Sequence, residues 1–140
     1  MKLYLAAKFE VKLHMRQIRD YLVNDGHEVT AQWIDVEHEN DSAGPITDAM
    51  RTHYAKMDVD DVLRADVLVA FSHKRGELHM GGGRHVEFGI ALQAGKQIIV
   101  VGPKGEHIFH YWPGVRFVKD VDALGELLHA MELDREVQTG

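Results

Sequence analysis

Short apolar segments alternate with longer segments of helical periodicity along the chain, and this alternation limits the folds that the chain can adopt. Five segments have the length and composition of strands, at residues 3–6, 27–34, 67–71, 98–101 and 115–118. Four segments have apolar residues at helical spacing, at residues 10–24, 47–64, 84–94 and 120–133. This alternation predicts an α/β, single-domain, flavodoxin-like or Rossmann-like sandwich of three layers around a five-stranded parallel sheet.

The pattern also predicts details of these elements. In the first helix, Leu13, Ile18 and Leu22 lie at helical spacing and define its apolar face. The second helix is expected to break near Asp58. The 140 residues fit one domain, which we expect at residues 1–134, followed by a frayed tail at 135–140. The acidic segment 35–45 is predicted to be a surface loop.

The composition excludes several classes of function. A net charge of −6 argues against binding to a nucleic-acid polymer, because a phosphate backbone requires a basic surface. The chain has no cysteine, so we expect neither a disulfide framework nor a thiolate zinc site. No apolar run reaches the roughly 18 residues of a membrane span, and residues 1–7 do not resemble a signal peptide. We therefore expect a cytoplasmic protein that has no membrane partner.

The predicted sheet brings three loops to one edge. In parallel α/β sheets, ligands bind beyond the carboxyl ends of the strands, where the strand order reverses. The segments that follow the first, third and fourth strands are residues 6–9, 72–83 and 102–110. We expect the ligand site in the crevice among these loops.

The sharpest motif joins three glycines, residues 81–83, to the first turn of a helix that carries Glu87. Glycines at this point let the backbone approach a ligand and leave N–H groups pointing outward. The helix dipole favours the ionised form of Glu87, and an ionised carboxylate in a crevice is a competent nucleophile toward a sugar carbon. The alternative is that Glu87 serves helix stability alone and that the glycines form only a flexible loop.

A second motif is the acidic segment 58–66, which precedes the third strand. Asp58 and Asp61 are three residues apart and share a face if the helix continues. A carboxyl group near Glu87 could protonate a leaving base, because paired carboxyl groups split their pKa values. The alternative is the solvated acidic end of a helix.

Histidines and cations are spread through the predicted ligand loops. The ten histidines form no dense ligand signature such as H-E-x-x-H, so we expect no functional metal. The histidines in or near acidic or ligand loops are His38, His79, His85, His107 and His110. The candidates for contact with a phosphate are Lys8, Lys74, Arg75 and Arg84, which surface solvation explains almost as well. Trp33, Tyr111 and Trp112 are expected in the core or an interface rather than as platforms for a base.

Together, these segments resemble the nucleoside 2-deoxyribosyltransferase-like family, which includes nucleotide N-glycoside hydrolases. The resemblance extends from Leu3 to about Leu128, and its most specific part is Gly82-Gly83-Arg84-His85-Val86-Glu87-Phe88-Gly89 with Ala91-Leu92. The other similar segments are residues 4–9, 26–33, 58–71 and 95–110. Each segment is weak evidence alone, but their order and spacing are similar to those of the family.

The resemblance implies that Glu87 is a nucleophile, that Asp58 assists the leaving base, and that Tyr4 orients the nucleophile or the sugar. It also implies substrate-binding residues in the ligand loops, namely Ala6, Ala7, Lys8, Phe9, Ser72, Gly82, Gly83, Arg84, His85, His107 and Phe109. The implied substrate is a nucleoside or its 5′-monophosphate, whose N-glycosidic bond is cleaved or exchanged through a glycosyl-enzyme. The resemblance implies no cofactor, and it implies a homodimer or a larger homo-oligomer.

The sequence departs from the family at three places. Residues 81–83 replace an aspartate that reads the base in some transferases, which favours hydrolysis over transfer. Glu106 or His107 replaces an asparagine that a neighbouring subunit supplies in some members. Ser72 is the serine that is available to bind a phosphate, so the sequence leaves open whether the substrate is a nucleoside or its monophosphate. A nucleotide sensor without turnover is therefore the main alternative, and a structural role in an assembly is a third.

Overall fold

Five parallel strands form the central sheet of the computed structural model, which describes residues 1–36, 46–74, 76–77 and 82–139. The strands are β1 (Lys2–Ala6), β2 (Glu28–Val29), β3 (Val67–Phe71), β4 (Gln97–Val101) and β5 (Arg116–Val118). Their order is β2-β1-β3-β4-β5, and every neighbouring pair is parallel. The strand order reverses at β1, so the carboxyl ends of β1 and β3 form the switch point where ligands bind in such sheets.

Among the described residues, four α-helices cover the sheet. They are α1 (Lys12–Asn24), α2 (Asp48–Arg64), α3 (Gly83–Gln93) and α4 (Val121–Thr139). Right-handed crossovers place α1 on one face and α2 and α3 on the other, because the chain crosses the sheet in opposite directions after β1 and after β2. Tyr21 of α1 lies beside Gly125 of α4, so these two helices share a face. The predicted three-layer sandwich with a five-stranded parallel sheet is confirmed.

The central strands are buried because helices cover both faces of the sheet. Residues 67–70 of β3 and 98–101 of β4 are all buried, which accounts for their continuous apolar composition. Ile18 and Leu22 of α1 and Phe88 of α3 pack into the same core. In the described part of the chain, no helix combines the length and the apolar character that crossing a membrane requires.

The second strand is much shorter than predicted. Alternation over residues 27–34 indicated one strand, but β2 ends at Val29, and Gln32–Asp35 form a 3₁₀ turn. Trp33 is buried in this turn, and its indole Nε1 donates a hydrogen bond to the Leu5 carbonyl oxygen at 2.9 Å. The apolar alternation therefore reflects a tryptophan that folds back onto β1 rather than a continuing strand.

Two details predicted for the first helices were wrong. The helix α2 continues through Asp58 without a break, and the Thr47 side chain caps its start by accepting from Met50 N at 3.1 Å. In α1, Leu13 is 67% exposed, and Met15 is buried instead. Ile18 and Leu22 are buried as predicted, so Met15 replaces Leu13 on the apolar face of α1.

The last helix is longer than predicted. The helix α4 was expected to end near residue 133, but it continues to Thr139 and crosses the predicted domain boundary at residue 134. Most of the predicted acidic loop, residues 37–45 with His38, lies outside the described residues.

Gly102 occupies a position at the end of β4 that other residues adopt only with strain. Its φ is +113°, and a Cβ atom there would lie 2.9 Å from Ser72 Oγ. We expect Gly102→Ala to lower the free energy of unfolding by about 1–3 kcal/mol, as measured by urea denaturation. The matched control is Gly89→Ala inside α3, where a Cβ meets nothing within 4 Å and where we expect a gain of about 0.5–1 kcal/mol. Equal stabilities of the two variants would contradict this assignment.

Candidate active site

A buried tyrosine and a glutamate form the centre of the candidate site. Tyr4 lies in the middle of β1, and its side chain is 0% exposed. Glu87 lies on α3, which packs against β1. The Tyr4 hydroxyl donates a hydrogen bond to Glu87 Oε2 at 2.7 Å. Two of the residues predicted to be catalytic are therefore in direct contact, although they are 83 positions apart in the sequence.

The environment of Glu87 favours its protonated form. Burial raises the pKa of Glu87 to about 8; the hydrogen bond from Tyr4 opposes this increase, and the charges of Asp58 and Asp61 add to it. The helix α3 begins at Gly83, so Glu87 lies in its second turn rather than in the predicted first turn. The expectation that the helix dipole keeps Glu87 ionised was wrong, because desolvation outweighs a dipole effect that fades beyond the first turn.

The helix α2 brings two further carboxyl groups toward Glu87. Asp58 and Asp61 lie one turn apart on α2, and both are close enough to Glu87 to raise its pKa. Because α2 packs directly against α3, the predicted trio of Tyr4, Asp58 and Glu87 is assembled in one place. The roles assigned to the three residues stay predictions.

Asp61 is fully buried, which the sequence pattern did not reveal. Its side chain is only 1% exposed, so the interpretation of this residue as part of a solvated helix end was wrong. Its Oδ2 accepts from Gln32 N at 3.0 Å, and its Oδ1 accepts from Gln32 Nε2 at 2.9 Å and from the Arg64 guanidinium. The one signal in the sequence was Arg64, because side chains three residues apart share a helix face.

Two residues predicted to bind substrate are held by other parts of the protein. Arg84 forms a bidentate ion pair with Glu106 at 2.6 and 2.7 Å, and their side chains are only 9% and 11% exposed. Burial alone would raise the pKa of Glu106, but the hydrogen bonds from Arg84 lower it. Ser72 donates its hydroxyl hydrogen to the Pro103 carbonyl oxygen at 2.7 Å. Both contacts attach the loop after β4 to the edge of the candidate site.

Three histidines pack against one another and against Phe88. The His107 ring centroid lies 4.4 Å from His110, 5.0 Å from His85 and 5.0 Å from Phe88. Desolvation lowers the pKa of all three histidines, that of His110 to about 4, which favours the neutral form of each ring. His110 Nδ1 accepts from Gly105 N at 3.0 Å. His107 Nδ1 is buried and has no hydrogen-bond partner in the described ranges.

A small cavity of about 10 Å³ lies beside this cluster. Ala6, Ser72, Arg84, His85 and His107 all line it. Five of the residues predicted to bind substrate therefore meet at one place. A polar cavity of this size accommodates about one water molecule.

The other predicted substrate-binding residues in the first loop follow β1. Ala7 is 9% exposed, and Lys8 and Phe9 are partly exposed. The Phe9 ring lies 6.2 Å from Trp33 and 4.7 Å from the Lys12 ammonium nitrogen. This loop therefore packs on the 3₁₀ turn that carries Trp33.

The remaining predicted residues lie on exposed backbone and loops. Gly82 is the N-cap of α3, and both it and Gly83 are exposed. Phe109 is 54% exposed. Tyr111 and Trp112 are 58% and 55% exposed, so they are not core residues. Arg75, His79 and Gly81 lie outside the described residues, and the described residues include no group of three or more histidines and acids that could hold a metal ion.

The strand order, the switch point and the paired acids define a flavodoxin-like α/β protein with a carboxyl-rich candidate active site. No protein-family model and no curated protein matches the chain. The fold is similar to that of the 2-deoxyribosyltransferase of the psychrotolerant bacterium Bacillus psychrosaccharolyticus. The TM-score is 0.68 at 22% identity, and the alignment covers 89% of this chain and 90% of that chain.

The fold is also similar to that of the CMP N-glycosidase BcmB of Clostridium botulinum. Here the TM-score is 0.58 at 19% identity, and the alignment covers 93% of this chain and 99% of that chain. The two comparisons support the predicted architecture over almost the whole chain.

Glu87→Gln tests the protonation of the buried carboxyl group. The pKa of Glu87 is about 8 in the folded protein, against 4.5 for an ordinary glutamate. The stability that protonated Glu87 contributes is therefore fully present below pH 4.5 and is lost as the pH rises through about 8. Glutamine has no proton to lose, so we expect the melting temperature of the variant to increase relative to wild type between about pH 5 and pH 9. A difference in melting temperature between the variant and wild type that does not change with pH would contradict the raised pKa of Glu87.

Proposed function

We propose that this protein is an enzyme that cleaves or exchanges the N-glycosidic bond of a nucleoside, a deoxynucleoside or a 5′-monophosphate of either. The observation that carries this proposal is the contact between Tyr4 and Glu87 with Asp58 nearby, at the switch point of the sheet. The similarity of the fold to a 2-deoxyribosyltransferase and to a CMP N-glycosidase supports the same chemistry.

In the first step, an ionised Glu87 attacks the anomeric carbon of the sugar. Its Oε2 accepts the hydrogen bond from Tyr4, so Oε1 is the oxygen that forms the new bond. As the carbon–nitrogen bond breaks, its electron pair moves to the base, and Asp58 supplies the proton that makes the base a better leaving group. The product is a glycosyl ester of Glu87 together with the free base.

In the second step, a water molecule or a second base attacks the same carbon. Glu87 leaves as a carboxylate, and Asp58 takes up the proton that the incoming group releases. We propose hydrolysis ahead of transfer, because residues 81–83 replace the aspartate that reads the base in some transferases. We also propose that the enzyme acts in the cytoplasm as a homo-oligomer on a small-molecule substrate.

A nucleotide sensor on the same fold, without turnover, is the second candidate. The observation that favours it is the raised pKa of Glu87, because a protonated carboxyl group is a poor nucleophile. Tight binding of a nucleotide in calorimetry, with no base released during long incubation, would identify the protein as a sensor.

Glu87→Gln should reduce base release by about 10⁴-fold or more, because an amide does not form the glycosyl ester. The measurement is chromatography of free base after incubation with ribo- and deoxyribonucleosides and their monophosphates. The matched control is Glu126→Gln, which removes a carboxylate from an exposed position on α4 and should leave turnover unchanged. If Glu87→Gln released base as fast as wild type does, Glu87 would be excluded as the nucleophile.

The pH dependence of wild-type activity should show an alkaline decline. The mechanism needs one proton on the pair of carboxyl groups, located on Asp58 at the moment when Glu87 attacks. The pKa of about 8 at Glu87 marks the pH above which the pair loses this proton. We therefore expect kcat/KM to fall about tenfold per pH unit above that value.

Asp58→Asn should reverse the sign of this pH dependence. Asparagine has no acidic proton to give, so activity should drop by about 10²-fold, and the remainder should require only that Glu87 be ionised. Loss of the Asp58 charge also lowers the pKa of Glu87. We expect kcat/KM of the variant to rise with pH to a plateau. An unchanged alkaline decline in Asp58→Asn would rule out Asp58 as the acid.

A further inference from the structure

We propose that Asp61 is a positioning residue for the reaction. Its buried side chain and backbone join α2, which carries Asp58, to residues 30–33. This segment in turn binds β1 on both sides of Tyr4. This inference rests on the function proposed above. It assigns a role to a residue that does not touch the substrate and acts by holding the catalytic side chains at their working separation.

The carboxylate of Asp61 holds the segment after β2 against α2. It accepts two hydrogen bonds from Gln32, one from the backbone N at 3.0 Å and one from Nε2 at 2.9 Å. It also pairs with Arg64, whose side chain is half exposed, whereas that of Asp61 is 1% exposed. A buried charge with several donors is costly to displace, because each donor would lose its partner. Moving Gln32 away from α2 would therefore break both of these hydrogen bonds to a buried carboxylate.

The same segment is bound to β1 on both sides of Tyr4. Thr30 N donates to the Leu3 carbonyl oxygen at 2.8 Å, and Trp33 Nε1 donates to the Leu5 carbonyl oxygen at 2.9 Å. The Thr30 hydroxyl in turn donates to the backbone oxygen of Asp61 at 2.7 Å. Asp61 is thus connected to Leu3 through Thr30, and to Leu5 through Gln32 and its neighbour Trp33.

These contacts link the three predicted catalytic residues. Asp58 lies one turn before Asp61 on the same helix, and the Tyr4 hydroxyl binds Glu87 directly. A shift of α2 relative to β1 would therefore change the separation between Asp58 and Glu87. Asp61 also acts on Glu87 through its negative charge. An apolar side chain at this position could be buried at a lower cost of desolvation, but it would supply neither the hydrogen bonds to Gln32 nor the charge.

Asp61→Asn tests this role with little change in side-chain size. The amide removes the charge and turns one acceptor into a donor that faces the Gln32 and Arg64 donors. We expect kcat to fall about 10²-fold, as for a small misplacement of catalytic groups, and KM to change less than about threefold. We also expect the alkaline limb of kcat/KM to move down by about half a pH unit, because a charge that raises the pKa of Glu87 is gone.

The matched control is Asp60→Asn, which removes the same charge from the neighbouring, exposed position on α2 and should leave kcat and the pH profile unchanged. Circular dichroism and the melting temperature establish that each variant is folded. If Asp61→Asn does not fold, Gln32→Ala takes its place, because it removes one donor from an exposed side chain. In that variant, we expect kcat to fall about tenfold with KM nearly unchanged.

The outcomes separate this inference from the proposed function. A lower kcat with the shifted pH limb, in a folded Asp61→Asn, supports the positioning role, as does the lower kcat of Gln32→Ala when that variant is needed. A lower melting temperature with unchanged kcat and pH limb means that Asp61 is only structural and overturns the inference alone. If Asp61→Asn is unfolded and wild type is active, a kcat of Gln32→Ala equal to that of wild type overturns the inference as well. If wild type releases no base from any nucleoside or monophosphate, the proposed function and the inference both fail.

Discussion

The hydrogen bond from the Tyr4 hydroxyl to Glu87 Oε2 joins the sheet to α3 at the point where the strand order reverses. Tyr4 is fully enclosed in β1, so its ring has no room to move without disturbing the central sheet. A phenol and a carboxyl group are both costly to bury without a partner, and here each satisfies the other. This pair therefore helps to hold α3, and with it the end of the loop after β3, against the sheet.

Three carboxyl groups lie close together around this bond, and the protein limits their repulsion in two ways. Around Asp61, Gln32 and the guanidinium of Arg64 donate hydrogen bonds to the carboxylate oxygens. Glu87 accepts a hydrogen bond from Tyr4, but burial and the charges of Asp58 and Asp61 outweigh this bond and raise its pKa to about 8, so the group holds a proton near neutral pH. The donors to Asp61 include a guanidinium, whereas the donor to Glu87 is the hydroxyl of Tyr4.

Periodicity predicted the architecture well, because buried parallel strands read as continuous apolar runs between segments of helical spacing. It failed at residues 27–34, where the alternation arose from Trp33 folding back onto β1, a contact that is distant in sequence. Glu87 and Asp58 were singled out by local motifs and Tyr4 by family resemblance, and the structure brings the three together. The burial of Asp61 and the raised pKa of Glu87 depend on the surroundings that tertiary packing creates, so local sequence did not reveal them.

The ion pair between Arg84 and Glu106 also determines how the loop after β4 responds to its surroundings. Both side chains are almost enclosed, so dissolved ions screen this pair far less than they screen the exposed pair of Asp48 and Arg51. The anchoring of that loop to α3 should therefore persist in concentrated electrolyte. An anionic ligand that sought the guanidinium of Arg84 would have to displace a carboxylate that already occupies both of its terminal nitrogens.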